Sequence, residues 1–202
     1  MSELTVVEQA RQEALRKRLE DGTLSPEEYL ADVSHSGDKN GLYGQFRVMV
    51  HDKDGNLVSE TVDHNVITDG GRTNQLSQWG GIGSPVSFTK LGVGSGSTAA
   101  AATDTVLQTE LTGNANRKTC TGLAGGSVVI VNDTSIPPYR KRLDLEAVYG
   151  LADGNNGSNF RELGLFSSAT FASGTMANRI VLPADIGKTA SNTITIVVSI
   201  YH

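Results

Sequence analysis

A single cysteine, Cys120, stands in 202 residues. That excludes an internal disulfide framework and any zinc site built from two or more cysteines of this chain. Aromatic residues make up only 5%, so a core must be filled mainly by Val, Ile, Leu and Ala. Basic charge is short as well: 17 Lys+Arg against 22 Asp+Glu leave a formal net charge of −5. A chain with that balance gains little from phosphate attraction, and no nucleic-acid partner is expected. The dense cationic run Arg140-Lys141-Arg142 is expected to be a solvated edge at the start of a strand, because Lys and Arg discourage edge pairing. No run approaches the roughly 20 apolar residues of a membrane-spanning helix. The opening residues MSELTVVEQARQEALRKRLEDG are charged throughout and lack an apolar signal core. No membrane partner is expected, and the chain is expected to stay in the cytoplasm or to be assembled there into something larger. Proline is sparse at 5 residues while glycine reaches 23, which suits many tight turns rather than a disordered chain.

Chemistry is also thin. Gly92-Val93-Gly94-Ser95-Gly96-Ser97-Thr98 has the look of a phosphate cradle but lacks the closing Gly-Lys-Ser/Thr of a P-loop. A small-residue loop leaving a strand is the expected structure. Asp52-Lys53-Asp54-Gly55-Asn56 carries part of a calcium-loop pattern, but Asp63 stands where the closing Glu should be, so a hairpin turn is expected. His35, His51, His64 and His202 have no paired metal-ligand spacing, although His51 and His64 could face each other across that hairpin. Cys120, between Thr119 and Thr121, has no activating base in sequence and is expected to be a buried, inert thiol. Asp133, Asp144, Glu146, Asp153 and Glu162 are acid/base candidates by type alone. Asn132-Asp133-Thr134 and Asn156-Gly157-Ser158 match glycosylation acceptors with no secretion signal to give them meaning. No catalytic, cofactor-binding or metal-binding residue is nominated, no cofactor is expected, and the chain is not expected to be an enzyme.

Periodicity divides the chain into a helical arm at 1–35, a linker at 36–44 and a β-sandwich-like domain at 45–202. In the arm, Thr5-Val6-Val7-Glu8 has capping-box spacing, and strong helix formers follow to Glu20. The apolar positions Leu4, Val7, Ala14, Leu15 and Leu19 make a thin stripe. Asp21-Gly22 stops this helix, and Ser25-Pro26-Glu27-Glu28 starts another with proline at its first position. Two short helices cannot hide much surface alone; they should dock on the body, on a neighbouring copy or on another protein. LEDGTLSPEEYL resembles the short two-helix SHOCT-like pattern appended to many unrelated proteins.

Beyond the linker the period becomes two. Phe46, Val48 and Val50 alternate with Arg47, Met49 and His51, and Leu57 to Ile67 runs back as the second arm of a hairpin. Short helices are expected at Arg72–Trp79 and Thr103–Leu111, with Trp79 as a core anchor. Strands are expected at Ser87–Val93, Arg117–Thr121, Val128–Val131, Lys141–Tyr149, Phe160–Phe166, Arg179–Leu182 and Thr193–Tyr201. The last is clearest: Ile194, Ile196, Val198 and Ile200 share one face. Brief strands split by Gly, Asn and Ser turns favour a mainly β, antiparallel sandwich over a βαβ fold.

Five segments form an ordered series: HNVITDGGR at 64–72, KLGVGSGST at 90–98, ATDTVL at 102–107, FRELGLF at 160–166 and RIVLP at 179–183. This succession resembles a widespread set of small tailed-bacteriophage virion proteins. It also resembles the collar-type N-terminal domains of phage tail fibres, which carry an "lGtGtt…p…TDtaL" stretch and a later "reaglf" strand. The resemblance implies a β-rich structural component of the virion with no catalytic residues. The expected function is a tail-fibre-, baseplate- or neck-associated adaptor. Its expected partners are other phage structural proteins and copies of itself, as a homo-oligomer, met through the 1–33 arm and the sheet edges near Leu57–Ile67 or Thr193–Tyr201. Head (capsid) decoration and a receptor- or carbohydrate-binding module are the alternatives.

Overall fold

The structure is a computed structural model that describes residues 42–133, 140–155, 157 and 159–202. The expected helical arm and nearly all of the expected linker lie outside the described residues. The last residues of that linker range are already structured: Leu42 is buried, and the first strand begins at Tyr43.

Two five-stranded antiparallel sheets pack face to face. Strands β1 (Tyr43–Asp52) and β2 (Leu57–His64) form a hairpin, and β3 (Val66–Ile67) and helix α1 (Asp69–Gly80) follow. Then come β4 (Lys90–Gly94), β5 (Lys118–Thr119), β6 (Ile130–Asp133), β7 (Arg140–Tyr149), β8 (Asn159–Phe166), β9 (Met176–Gly187) and β10 (Asn192–Tyr201). The first sheet runs β2-β1-β10-β7-β6 and the second β3-β9-β8-β4-β5. The chain therefore crosses between layers four times, after β2, β5, β7 and β9.

Alternation in sequence becomes a lattice across the first sheet. Val50, Ile194 and Tyr149 lie in one cross-strand row, Val48, Ile196 and Ala147 in the next, and Phe46, Val198 and Leu145 in the third. All nine are buried. Leu91 and Val93 of β4, Leu163 and Leu165 of β8, and Ile180 and Leu182 of β9 face them from the second sheet. Each fully buried aliphatic or aromatic side chain of this kind contributes about 1.5–3 kcal/mol. Tyr149 is the largest polar intruder; its hydroxyl donates to the Leu91 carbonyl at 3.2 Å, and its ring meets Phe160 edge-on at 5.1 Å.

The hairpin turn at 53–56 forms as expected. The Asp52 carboxylate accepts from the Asp54 and Asn56 amides and from the Asn56 side chain, and Gly55 supplies the positive φ that the turn needs. A helix also forms where one is expected, but it starts earlier: Thr68 caps it by accepting from the Gly71 amide. Gly71 is required there, since a Cβ at that position would lie 2.3 Å from the Ala177 carbonyl oxygen.

Several expectations are corrected. Leu57–Ile67 is not one return strand: the ladder with β1 ends at His64, and Val66–Ile67 joins β9 in the other sheet. His51 and His64 do not face each other, because His51 pairs with Leu57 and His64 with Gln45. Arg140-Lys141-Arg142 is not an edge, since β7 lies between β10 and β6. Neither is Thr193–Tyr201, which occupies the middle of the first sheet, between β1 and β7. Trp79 is not a core anchor. It sits in the last turn of α1, 64% exposed, with its ring edge-on to His202. The helix buries only Gly71 and Asn74, so its far end has no core to reach. Thr103–Leu111 is not helical but an irregular, turn-rich run, for a reason that its contacts make plain.

Candidate functional site

Strand β4 alternates Leu91 and Val93, facing the core, with Gly92 and Gly94 on the outer face; β8 alternates Leu163 and Leu165 with Glu162, Gly164 and Phe166. The outer face of the second sheet is thus floored with glycine. Something must lie on it, and that is the chain's own stretch from Ser95 to Arg117. Its backbone runs beside β4, with Ser95 N–H donating to Thr109 and Leu111 N–H to Val93.

A buried carboxylate fastens this stretch. Glu162 is wholly buried and accepts backbone hydrogen bonds from Gly96 (3.1 Å), Gln108 (3.0 Å) and Thr109 (2.7 Å). Arg179, equally buried, donates to it through Nε at 2.9 Å and Nη2 at 2.7 Å. The other Arg179 N–H groups reach Asp104 at 2.7 Å, the Thr98 carbonyl at 3.0 Å and the Ala99 carbonyl at 3.4 Å. All five donors of the guanidinium are used, which is what an arginine in a dry site requires. A Cβ on Gly94 or Gly96 would stand 2.5 Å from Glu162 Oε1, so the glycines make room for a carboxylate of the protein itself rather than for a phosphate. Helical geometry at 103–111 would turn the Gln108 and Thr109 amides away from Glu162 and into the helix. The tertiary bonds to a buried charge are the stronger claim.

A second clamp lies beside the first. Arg117 grips Glu110 with Nε at 2.5 Å and Nη2 at 2.9 Å, and its Nη1 donates to the Ser168 and Ser173 carbonyls at 2.8 and 2.7 Å. Its guanidinium lies 3.5 Å above the centre of the Phe166 ring. Leu107, Phe166 and Met176 fill the space over Gly164 as a small apolar cluster of their own. Loop, strand and clamp make a third layer on the sandwich.

The side chain of Asp133 lies outside the described ones, and the remaining acid/base candidates do not converge. Asp144, on the outer face of the first sheet, accepts from Ser199 at 2.6 Å and pairs with Arg142 at 2.9 Å. Glu146 exchanges backbone bonds with Thr121. Asp153 lies in the loop after β7 and pairs with Lys118 at 2.6 Å. Nearby, Lys188 is buried and donates to Asn155 and the Thr189 carbonyl; loss of hydration lowers its pKa below the ordinary lysine value. Cys120 is buried, and burial pushes its thiol up to about 11. Among the described residues, no group of three or more His, Cys, Asp or Glu side chains gathers to hold a metal.

Among the described residues, what the first sheet leaves open is its two edges. Edge strand β2 exposes Leu57, Val58 and Val62. At the other edge Val128, Val129 and Ile130 are exposed, and Ile130 is 71% accessible although its cross-strand neighbour Leu143 packs against the core. Among the described residues, the first sheet thus carries exposed aliphatics at both edges, beside Glu60 and Asp63 on β2. Sequence reasoning found Glu162 by type but missed Arg179, Arg117 and Glu110 altogether. The glycine alternation at 92, 94 and 164 was the available signal, because glycine on one face of a strand marks a close neighbour. Compared with protein families, with curated proteins and with solved structures, the chain matches none.

Proposed function

We propose that this protein is a structural, non-enzymatic component of a tailed-bacteriophage virion, acting as a tail-fibre-, baseplate- or neck-associated adaptor and assembling through the open edges of its first sheet together with the N-terminal arm. The observation that carries this reading is the pair of aliphatic edges at β2 and β6. β2 carries Glu60 and Asp63 as an edge strand ordinarily does, yet its exposed Leu57, Val58 and Val62 leave apolar area that a subunit of a large assembly can use as a contact surface repeated over many copies. The buried ion network supports the same reading. Asp104, Glu162 and Arg179, from three of the phage-like segments, are tied to one another and to backbone, where they hold a layer in place rather than meet a substrate.

Peptide identification in purified phage particles, run beside the mass of the purified protein in solution, tests this. The expected result is presence in the particle and a mass above that of one chain. A stable monomer absent from particles would sink the proposal. Trp79, exposed among the described residues, favours one alternative, a receptor- or carbohydrate-binding module, in which the indole is left uncovered to stack on a sugar face. Under that reading, glycans added to the monomer would change Trp79 emission.

A further inference from the structure

The far end of α1 presents an apolar face with nothing of the sandwich on it. Leu76 is 58% exposed, Trp79 64% and Ile82 64%. Leu76 and Trp79 lie one turn apart on the helix, and Ile82 follows Gly81, whose left-handed backbone ends it. The face is held firmly. The Asn74 side chain donates to the Val86 carbonyl at 3.0 Å and accepts from its amide at 2.7 Å, which ties the segment after the helix back onto it. Three large apolar side chains on a fixed surface, one of them the chain's only tryptophan, call for an occupant.

The route of the chain names one. Trp79 touches His202 at 5.1 Å between ring centroids, His202 follows Tyr201, and Tyr201 stacks on Tyr43 at 4.5 Å. Tyr43 opens β1. Residues 1–41 therefore join the body beside the exposed face. The stripe's last member, Leu19, is joined to Leu42 by residues 20–41, a stretch that spans at most about 70 Å when extended, more than enough to turn back onto the face where the chain enters the body. Upstream, Leu4, Val7, Ala14, Leu15 and Leu19 form an apolar stripe that needs a partner. Linkage within one chain presents that stripe at an effective concentration on the order of millimolar, so even a weak contact is occupied.

We propose that in the free protein residues 1–33 fold back within the same chain and cover the face made by Leu76, Trp79 and Ile82. This inference is independent of where the protein works. Because Trp79 is the only tryptophan, its fluorescence reads the face directly. In the full chain at high dilution, Trp79 emission should be blue-shifted and protected from acrylamide, with no dependence on concentration. In full-length Leu15→Asp/Leu19→Asp the emission should move to the red and the protection should be lost, while the β signal in far-UV circular dichroism stays unchanged. If the double variant does not fold, Leu19→Gln should give the same shift in smaller amount. Equal, solvent-like quenching in wild type and variants would overturn the proposal. So would protection that grows with concentration alongside the mass, since the occupant would then be a second copy.

Discussion

Arg179 reaches the interior because Glu162 is there to meet it, and neither residue is tolerable alone. Removing one member of a buried ion pair strands the other, at a cost of about 3–5 kcal/mol. Arg179→Met should therefore lower the stability of the fold by that order in denaturant unfolding. Glu162→Gln/Arg179→Met should lose less than Arg179→Met, since glutamine leaves no buried charge and its one side-chain oxygen can still accept from the Gly96 and Thr109 amides, though not from that of Gln108. A double variant no better than the single would mean that the pair is not a coupled unit. The exposed end of the molecule offers a milder case. Burial by itself would raise the Asp153 pKa, but the hydrogen bonds from Lys118 and Gly150, with the charges of Lys118 and Lys188, outweigh it and hold the carboxyl below its usual value. A carboxyl lowered in the fold contributes stability above the ordinary aspartate pKa of about 3.9, and that contribution is lost as the pH falls from there through the lower value. Being partly exposed, the pair should contribute no more than about 1 kcal/mol. Asp153→Asn should flatten the acid limb of a stability-versus-pH curve by that small amount and leave neutral-pH packing intact; an unchanged acid limb would remove Asp153 from the account.

At the scale of elements, the edges of the first sheet combine exposed aliphatics with the charges that ordinarily protect an edge. Ile130→Lys and Val62→Lys each place a charge on an exposed edge without touching the core, so stability should change by less than about 0.5 kcal/mol. If these edges carry association, the mass in solution should fall toward one chain and the tendency to aggregate should fall with it. A mass that both variants leave unchanged would move the contacts elsewhere. Strand identity was legible wherever inward aliphatics alternate with Thr, Ser or Gly, as in β10, β4 and β8. Strand order was less so, although one sign was present: β10 contains no Lys, Arg, Asp or Glu, as suits a central position, whereas edge strand β2 carries Glu60 and Asp63. The candidate site was legible only in part. Glycine on one face announced a covering layer, but arginine is so commonly a surface residue that composition offered no reason to place Arg179 or Arg117 inside. Trp79 was misread for the converse reason, since tryptophan is usually mostly buried and only the route of α1 reveals that its end lies beyond the core.

For the molecule as a whole, the decisive pairing joins the two ends of the described chain. β1 and β10 lie side by side at the centre of the first sheet and remain in register from Tyr43 opposite Tyr201 to Asp52 opposite Asn192. Ile194, Ile196 and Val198 supply the middle column of the buried lattice. Without β10, the β1–β2 hairpin loses its only link to β7 within the sheet, and the second sheet loses the surface it packs against. Contacts between residues so distant in sequence must bear the full loop-closure entropy before any burial rewards them, which makes folding late and all-or-none. A chain ending at Ser191 should consequently remain protease-sensitive throughout, with no protected fragment, while the full chain yields a resistant core beginning near Leu42. A resistant fragment from the truncated chain would show that one sheet stands without the other. The same dependence bears on assembly. β2 and β6 take their places in one sheet only when β10 bridges β1 and β7, so the two aliphatic edges exist as a matched pair only on a finished body. If those edges carry the proposed association, chains still being made offer one another no matched pair, and premature pairing is disfavoured.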